Sequence, residues 1–257
     1  MHVKDLFDLN GRCALVTGGS RGLGLQMAQA LGEMGCAVAL CARRQTELNE
    51  TAEKLDRAGV RVLAVPTDLL EPQAAVELVS AVERGLGPID ILLKNAGASW
   101  SAPAESHPIA AWNKVMNLNV TAPFVLAQEV ARRHMIPRGA GKIINVASVA
   151  GLRGTARGVR TAAYNTSKAA LINLTRALAS EWGRFNINVN AICPGFFPTR
   201  MSSGLLEKIE DVLLARSPLG RLGGEDDLKG AVVFLSSEAA RHITGVTLVV
   251  DGGNSIT

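Results

Sequence analysis

The chain has 257 residues, 47% of them apolar and 19% charged, with 26 glycines and a single tyrosine. That apolar share excludes a disordered or low-complexity chain. The formal net charge of +4 is not gathered into a basic run, which excludes the usual footprint of a nucleic-acid binder.

Met1 to Arg12 is charged and broken, unlike a secretory leader. No stretch approaches the roughly 18 uninterrupted apolar residues of a membrane span. A cytoplasmic protein with no membrane partner is the expectation. Apolar runs then alternate with amphipathic ones. Strands are expected at Cys13–Thr17, Ala37–Cys41, Val60–Val65, Ile89–Leu93, Lys142–Ala147, Asn188–Cys193 and Thr247–Val250. Helices are expected at Gly24–Met34, Gln45–Arg57, Ala74–Arg84, Ile109–Met135, Ala162–Arg184, Ser202–Arg216 and Glu225–Ser236. Continuous apolar strands separated by helices indicate a parallel sheet buried on both faces. No linker or repeat divides the chain, so residues 1–257 are read as a single α/β domain. Its expected core is one doubly wound, Rossmann-like parallel sheet of about seven strands with helices on both faces. Cys13, Cys36, Cys41 and Cys193 form no CxxC pair and lie in apolar stretches, which reads as buried thiols with no metal site.

Ligands of such sheets bind at the carboxyl ends of the strands, and each informative segment falls there. Thr17-Gly18-Gly19-Ser20-Arg21-Gly22-Leu23-Gly24 follows the first strand and opens the first helix. Glycines let the backbone approach a ligand closely, and the helix start offers free N–H groups and a positive dipole end to a phosphate. No Lys-Ser or Lys-Thr follows, so the Walker pattern fails. Gly18 to Gly22 also fits the G-x-S-x-G elbow of α/β-hydrolases. That elbow, however, needs an oxyanion loop earlier in the sheet, and none of the four histidines offers a compelling triad partner. The spacing T-G-x-x-x-G-x-G resembles the short-chain dehydrogenase/reductase family.

The second strand ends Cys41-Ala42-Arg43-Arg44 with no acid before Glu47. A carboxylate there would accept the ribose 2′-hydroxyl of NAD(H), whereas arginines hold a 2′-phosphate. Arg43 and Arg21 therefore point to NADP(H) over NAD(H). By resemblance, Asp68 with Leu69 contacts the adenine, and Asn95-Ala96-Gly97 lines the adenosine ribose. Lys94 stands where the family usually has a first Asn.

Tyr164 and Lys168 lie four residues apart on one helical face. A nearby ammonium favours phenolate, which brings a phenol toward the working pH range. The preceding strand ends at Ser148. The Trp112 to Val120 stretch resembles the family's W-x-x-V-x-x-x-N pattern, and that resemblance implies Asn119 as the catalytic position, with Asn117 as a decoy. The resemblance implies that Tyr164 exchanges a proton with the substrate oxygen and Ser148 hydrogen-bonds that oxygen. It further implies that Lys168 holds the nicotinamide ribose and Asn119 supports a water relay. It adds Pro194-Gly195 as a turn after the sixth strand, and Thr199 on the nicotinamide carboxamide. A homotetramer is also implied.

The match runs from about Leu9 to Gly253. Asp5 to Leu9 and Phe196 to Thr199 are similar to gluconate 5-dehydrogenase-like members, while the general pattern equally resembles 3-oxoacyl-carrier-protein reductases. The implied reaction is ketone and secondary-alcohol interconversion on a small molecule. A loop carrying Arg153, Arg157 and Arg160 suggests an anionic substrate, such as a sugar acid or an acyl thioester. A lid is expected over residues 196–216, with Met201, Leu205 and Leu206 as apolar lining. The alternative reading is a non-catalytic dinucleotide sensor on the same fold.

Overall fold

In the computed structural model, which describes residues 1–71, 73–154 and 158–257 (backbone only for 205–209), β1 (Cys13–Thr17) is wholly buried. It pairs in parallel with β2 (Ala37–Ala42) on one side and β4 (Ile91–Lys94) on the other. With β3 (Val62–Pro66), β5 (Gly141–Val146), β6 (Ile187–Pro194) and β7 (Thr247–Val250), the sheet runs β3-β2-β1-β4-β5-β6-β7. Every pairing is parallel. The order reverses between β1 and β4, so the chain leaves in opposite directions from Thr17 and its neighbour Lys94 and opens a crevice above them.

Successive strand side chains point to opposite faces, and both faces are covered. Ala14, Val16, Val38 and Leu40 pack with Met27, Leu31, Leu48 and Val232. These last four belong to α1 (Gly22–Glu33), α2 (Gln45–Arg57) and α9 (Lys229–Ser236). Leu15, Ala39 and Leu92 pack on the other face with Val79, Leu126, Val130 and Leu178. Those residues come from α3 (Ala74–Leu86), α5 (Ala122–Val130) and α7 (Ala162–Trp182). All four cysteines are free and buried.

Two expectations change. The expected helix Ile109–Met135 is divided into α4 (Ile109–Met116), α5 and the short α6 (Ile136–Arg138), joined by π-helical turns at Asn117–Thr121 and Ala131–Met135. Pro123 and Pro137 lack an N–H and crowd the preceding turn. The wider i→i−5 bonds, Ala122 N–H to Asn117 O and Ile136 N–H to Ala131 O, take up the strain just before each proline. The expected helix Ser202–Arg216 is α8 (Ser203–Arg216), and the last expected helix loses its start: α9 begins at Lys229 because the Asp227 carboxylate holds Gly224 N–H (2.7 Å) and the Arg221 guanidinium in a turn.

Candidate active site

The crevice is built from four strand ends. Above β1, Gly18 adopts φ +65° and donates its N–H to Cys41 O at 2.7 Å. A Cβ on Gly18 would lie 2.8 Å from the Asn95 amide, and one on Gly24 only 2.1 Å from Gly18 O. Glycine is therefore required where the loop folds back on the start of α1. The Thr17 hydroxyl accepts the N–H groups of Asn95 and Ala96, both at 3.1 Å. Asn95 Nδ2 donates to Gly18 O at 3.1 Å. Asn95 and Ala96 thus lock the loop to the end of β4. Gly22 and Leu23 open α1, and Ser20 is tied to α2 through the Thr51 hydroxyl, which donates to Ser20 O at 2.8 Å.

Arg43 is exposed at the end of β2 and has no hydrogen-bond or ion-pair partner among the described residues. Arg21 is engaged: its Nη1 lies 2.8 Å from Glu47 Oε2. Arg44 and Arg200 reach the same carboxylate at 2.5 and 3.4 Å. These guanidinium groups hold Glu47 below the usual carboxylate range, Arg44 most of all. Asp68 lies half-buried beyond β3, its Oδ1 accepting Leu70 N–H at 3.1 Å, and Leu69 packs against the core.

Past β4, the Asn119 side chain accepts Ala98 N–H (2.8 Å) and donates to Ala98 O and the Ser167 hydroxyl (both 2.9 Å). Its amide is therefore consumed in joining the Gly97-Ala98 turn to α7. Its carbonyl, four residues before Pro123, has lost the N–H that would ordinarily bond it. Asn117 is exposed. Lys94 is 2% exposed and donates to Pro123 O at 3.2 Å, which ties β4 to the start of α5. With no acid beside it, burial pushes its pKa down to about 7.

After β5, the Ser148 hydroxyl caps a turn at Val149–Gly151 by accepting Ala150 N–H at 3.1 Å and faces the Tyr164 phenol, whose pKa it lowers. Tyr164 sits in the first turn of α7 with Lys168 one turn on. The Lys168 Nζ lies 5.5 Å from the ring centroid and donates to Val146 O at 2.8 Å. The phenol's pKa differs from expectation in this state. Burial raises it, with the Ser148 bond opposing. Burial also lowers the pKa of Lys168, to about 8. A hydroxyl, a phenol and an ammonium thus stand together beside the glycine loop, a set with the chemistry to pass a proton to or from an oxygen.

After β6, Gly195 N–H bonds Val250 O at 2.9 Å, next to buried Pro194. The Thr199 side chain lies over the glycine loop, 3.6 Å from where a Cβ on Gly22 would stand, and its hydroxyl pairs with Ser202 at 3.0 Å. The Arg153 guanidinium is engaged by the C-terminal turn. It bonds Asn254 Oδ1 (2.7 Å) and Thr257 O (3.3 Å). Arg160 is exposed, and its carbonyl accepts Ala102 N–H at 3.0 Å. Arg157 lies outside the described residues, as do the side chains of Leu205 and Leu206.

Glu47 was readable only as the first acid after the second strand. Its gathering of three arginines, and the Asn119–Ser167 and Lys94–Pro123 pairs, join distant segments. The one local signal was the Arg44, Glu47 spacing at a helix start.

The cleft suits a pyrophosphate-bearing dinucleotide on two observations. Gly18 and Gly24 let the loop fold tightly onto Asn95 and the start of α1 at the carboxyl end of β1, and Arg43 presents a cation with no partner among the described residues at the end of β2. The model of the family described as short chain dehydrogenase matches residues 12–210. Gluconate 5-dehydrogenase of Gluconobacter oxydans is 41% identical over 259 residues, covering 100% of both chains. The rhamnolipids biosynthesis 3-oxoacyl-(acyl-carrier-protein) reductase of Pseudomonas aeruginosa is 40% identical over 252 residues, covering 96% of this chain and 97% of that one. The crystal structure of a gluconate 5-dehydrogenase from Burkholderia cenocepacia, in complex with NADP and tartrate, superimposes with a TM-score of 0.93 at 37% identity over 100% of both chains. No helix among the described residues is long and apolar enough to cross a membrane. By its glycine loop, its Ser148–Tyr164–Lys168 grouping and these likenesses, the chain belongs to the short chain dehydrogenase family and is an oxidoreductase.

Proposed function

We propose that this chain is an NADP(H)-dependent oxidoreductase that interconverts a keto-sugar acid and its secondary alcohol, with Tyr164 as the acid/base. The observation that carries the reading is the convergence of the glycine loop, Arg43 and the Ser148–Tyr164–Lys168 group on one crevice. The gluconate 5-dehydrogenase relatives, one bound to NADP and tartrate, support the sugar-acid class. The 3-oxoacyl-(acyl-carrier-protein) reductase supports a second reading, a 3-oxoacyl thioester. Met201 favours that reading, being an apolar side chain 57% exposed after β6.

The glycine loop with Ser20 and Leu23 would hold the pyrophosphate, Arg43 and Arg21 the 2′-phosphate, and Asp68 with Leu69 the adenine. Asn95, Ala96 and Gly97 would line the adenosine ribose, with Pro194, Gly195 and Thr199 at the nicotinamide. The nicotinamide, when bound, supplies or accepts the hydride. Tyr164 gives its phenolic proton to the carbonyl oxygen in reduction and takes it from the alcohol in oxidation, while Ser148 hydrogen-bonds that oxygen. Lys168 would hold the adjoining ribose hydroxyls. Asn119 fixes the Gly97-Ala98 turn and offers its carbonyl to a water that resupplies the proton. Residues 1–257 act as one catalytic domain, with 196–216 as a lid closing over the substrate. The protein works in the cytoplasm as a homotetramer.

Loss of NADPH absorbance with a panel of keto-sugar acids, 3-oxoacyl thioesters and simple ketones tests this. Turnover confined to keto-sugar acids is expected. Turnover of thioesters alone moves the assignment to the second reading. NADPH binding without turnover of any member would leave a dinucleotide sensor.

A further inference from the structure

Glu47 lies in the first turn of α2, and three arginines from three separate segments meet on its carboxylate. Arg21 comes from the glycine loop, with Nη1 2.8 and 3.2 Å from the two oxygens. Arg44 comes from the helix cap at 2.5 Å, and Arg200 from the segment after β6 at 3.4 Å. The backbone beneath is fixed, since the Thr51 hydroxyl donates to both Ser20 O (2.8 Å) and Glu47 O (2.9 Å) and staples α2 to the glycine loop. Beside this cluster, Arg43 is exposed and has no partner among the described residues.

We propose that Glu47 is a specificity-determining residue that opposes the cofactor's 2′-phosphate, occupying Arg21 until the phosphate displaces it. This rests on the NADP(H) reading above. Arg43 can take a phosphate without giving anything up. Arg21 can add its fork only by leaving Glu47 or by placing a dianion beside a carboxylate, and both weaken binding. Arg44 and Arg200 make the exchange feasible, because they leave the displaced carboxylate two cations from outside the glycine loop. NADH brings no phosphate to this place, so its affinity is independent of the exchange. Glu47 thus lowers the preference for NADP(H) that Arg43 and Arg21 would set by themselves.

Calorimetric titration of the full chain with NADPH and with NADH, in wild type and Glu47→Gln, tests this without any substrate. Glu47 is half-buried at the surface, and the substitution keeps the side-chain shape. Glu47→Gln is expected to tighten NADPH roughly fivefold and to leave NADH within about twofold. In an Arg21→Gln background the same substitution should have no effect on NADPH, since the contested donor is gone. An NADPH affinity that is unchanged or weakened by Glu47→Gln overturns the exchange while leaving the NADP(H) reading intact. A wild-type chain that binds neither dinucleotide overturns both.

Discussion

The two ends of the cleft handle charge in opposite ways. At the catalytic end Lys168 is 5% exposed, and desolvation sets the acidity of both ammonium and phenol. At the 2′ end the Arg21 and Arg44 side chains are 51% and 60% exposed and act by number and placement. Charges in the first setting respond to burial and resist salt. Charges in the second are screened by it. One fold therefore carries a buried phenol–ammonium pair at one end and a cluster of exposed guanidinium groups at the other.

The contrast breaks most sharply at Tyr164. Tyr164→Phe keeps the ring packing and removes the proton. Turnover should fall by about a thousandfold, within the range general acid–base catalysis contributes, while NADPH affinity holds. Because Tyr164 is the only tyrosine, the ultraviolet titration of tyrosinate reports this site alone. Without cofactor its midpoint should lie above the value of about 10 for free tyrosine, as burial requires. Bound NADP should bring it down. A midpoint below 10 in the cofactor-free protein would contradict the burial.

Lys94 is the same device without a reaction to serve. Its drop to about 7 means that the unfolded chain binds the extra proton between pH 7 and the ordinary lysine value. Stability therefore rises with pH across that window and carries the full penalty below it. Lys94→Met should stabilise the protein at pH 6 by up to about 5 kcal/mol, less the lost bond to Pro123 O. That gain should shrink as the pH approaches 10. Denaturant melts at the two pH values measure it, and an equal gain at both would show that Lys94 folds in as an ammonium.

The strands and most of the site were legible because their signals are local. Cys13–Thr17 is apolar throughout, the glycines follow it directly, and Tyr164 and Lys168 are one turn apart. The π turns were also signalled, by Pro123 and Pro137 inside an apolar periodicity, but periodicity alone does not show a bond shifting from i−4 to i−5. Glu47 with Arg200 and Arg153 with Asn254 were illegible. They lie 153 and 101 residues apart, and only the folded sheet brings them together.

At the exposed end effects are smaller. Arg43→Ala removes a guanidinium that has no partner among the described residues and should, on the proposed reading, lower the NADPH-to-NADH preference about tenfold, through NADPH alone. The loss should shrink in high salt, as for any exposed charge. A preference that stays unchanged would assign the phosphate to Arg21 and Arg44.

The smallest effect separates substrate binding from structure. Arg153 belongs to a run of three arginines that suggests contact with an anionic substrate, yet its guanidinium is spent on Asn254 and Thr257. Arg153→Ala should therefore lower stability by about 1 kcal/mol, the usual worth of such bonds, seen as a small fall in Tm. The KM for a keto-sugar acid should stay as it was. Arg160→Ala, at an exposed side chain whose backbone bonds Ala102, reverses the pattern if that residue meets the substrate: KM rises and Tm holds. A raised KM in Arg153→Ala would mean that the guanidinium leaves the C-terminal turn when substrate binds, which neither of its contacts requires.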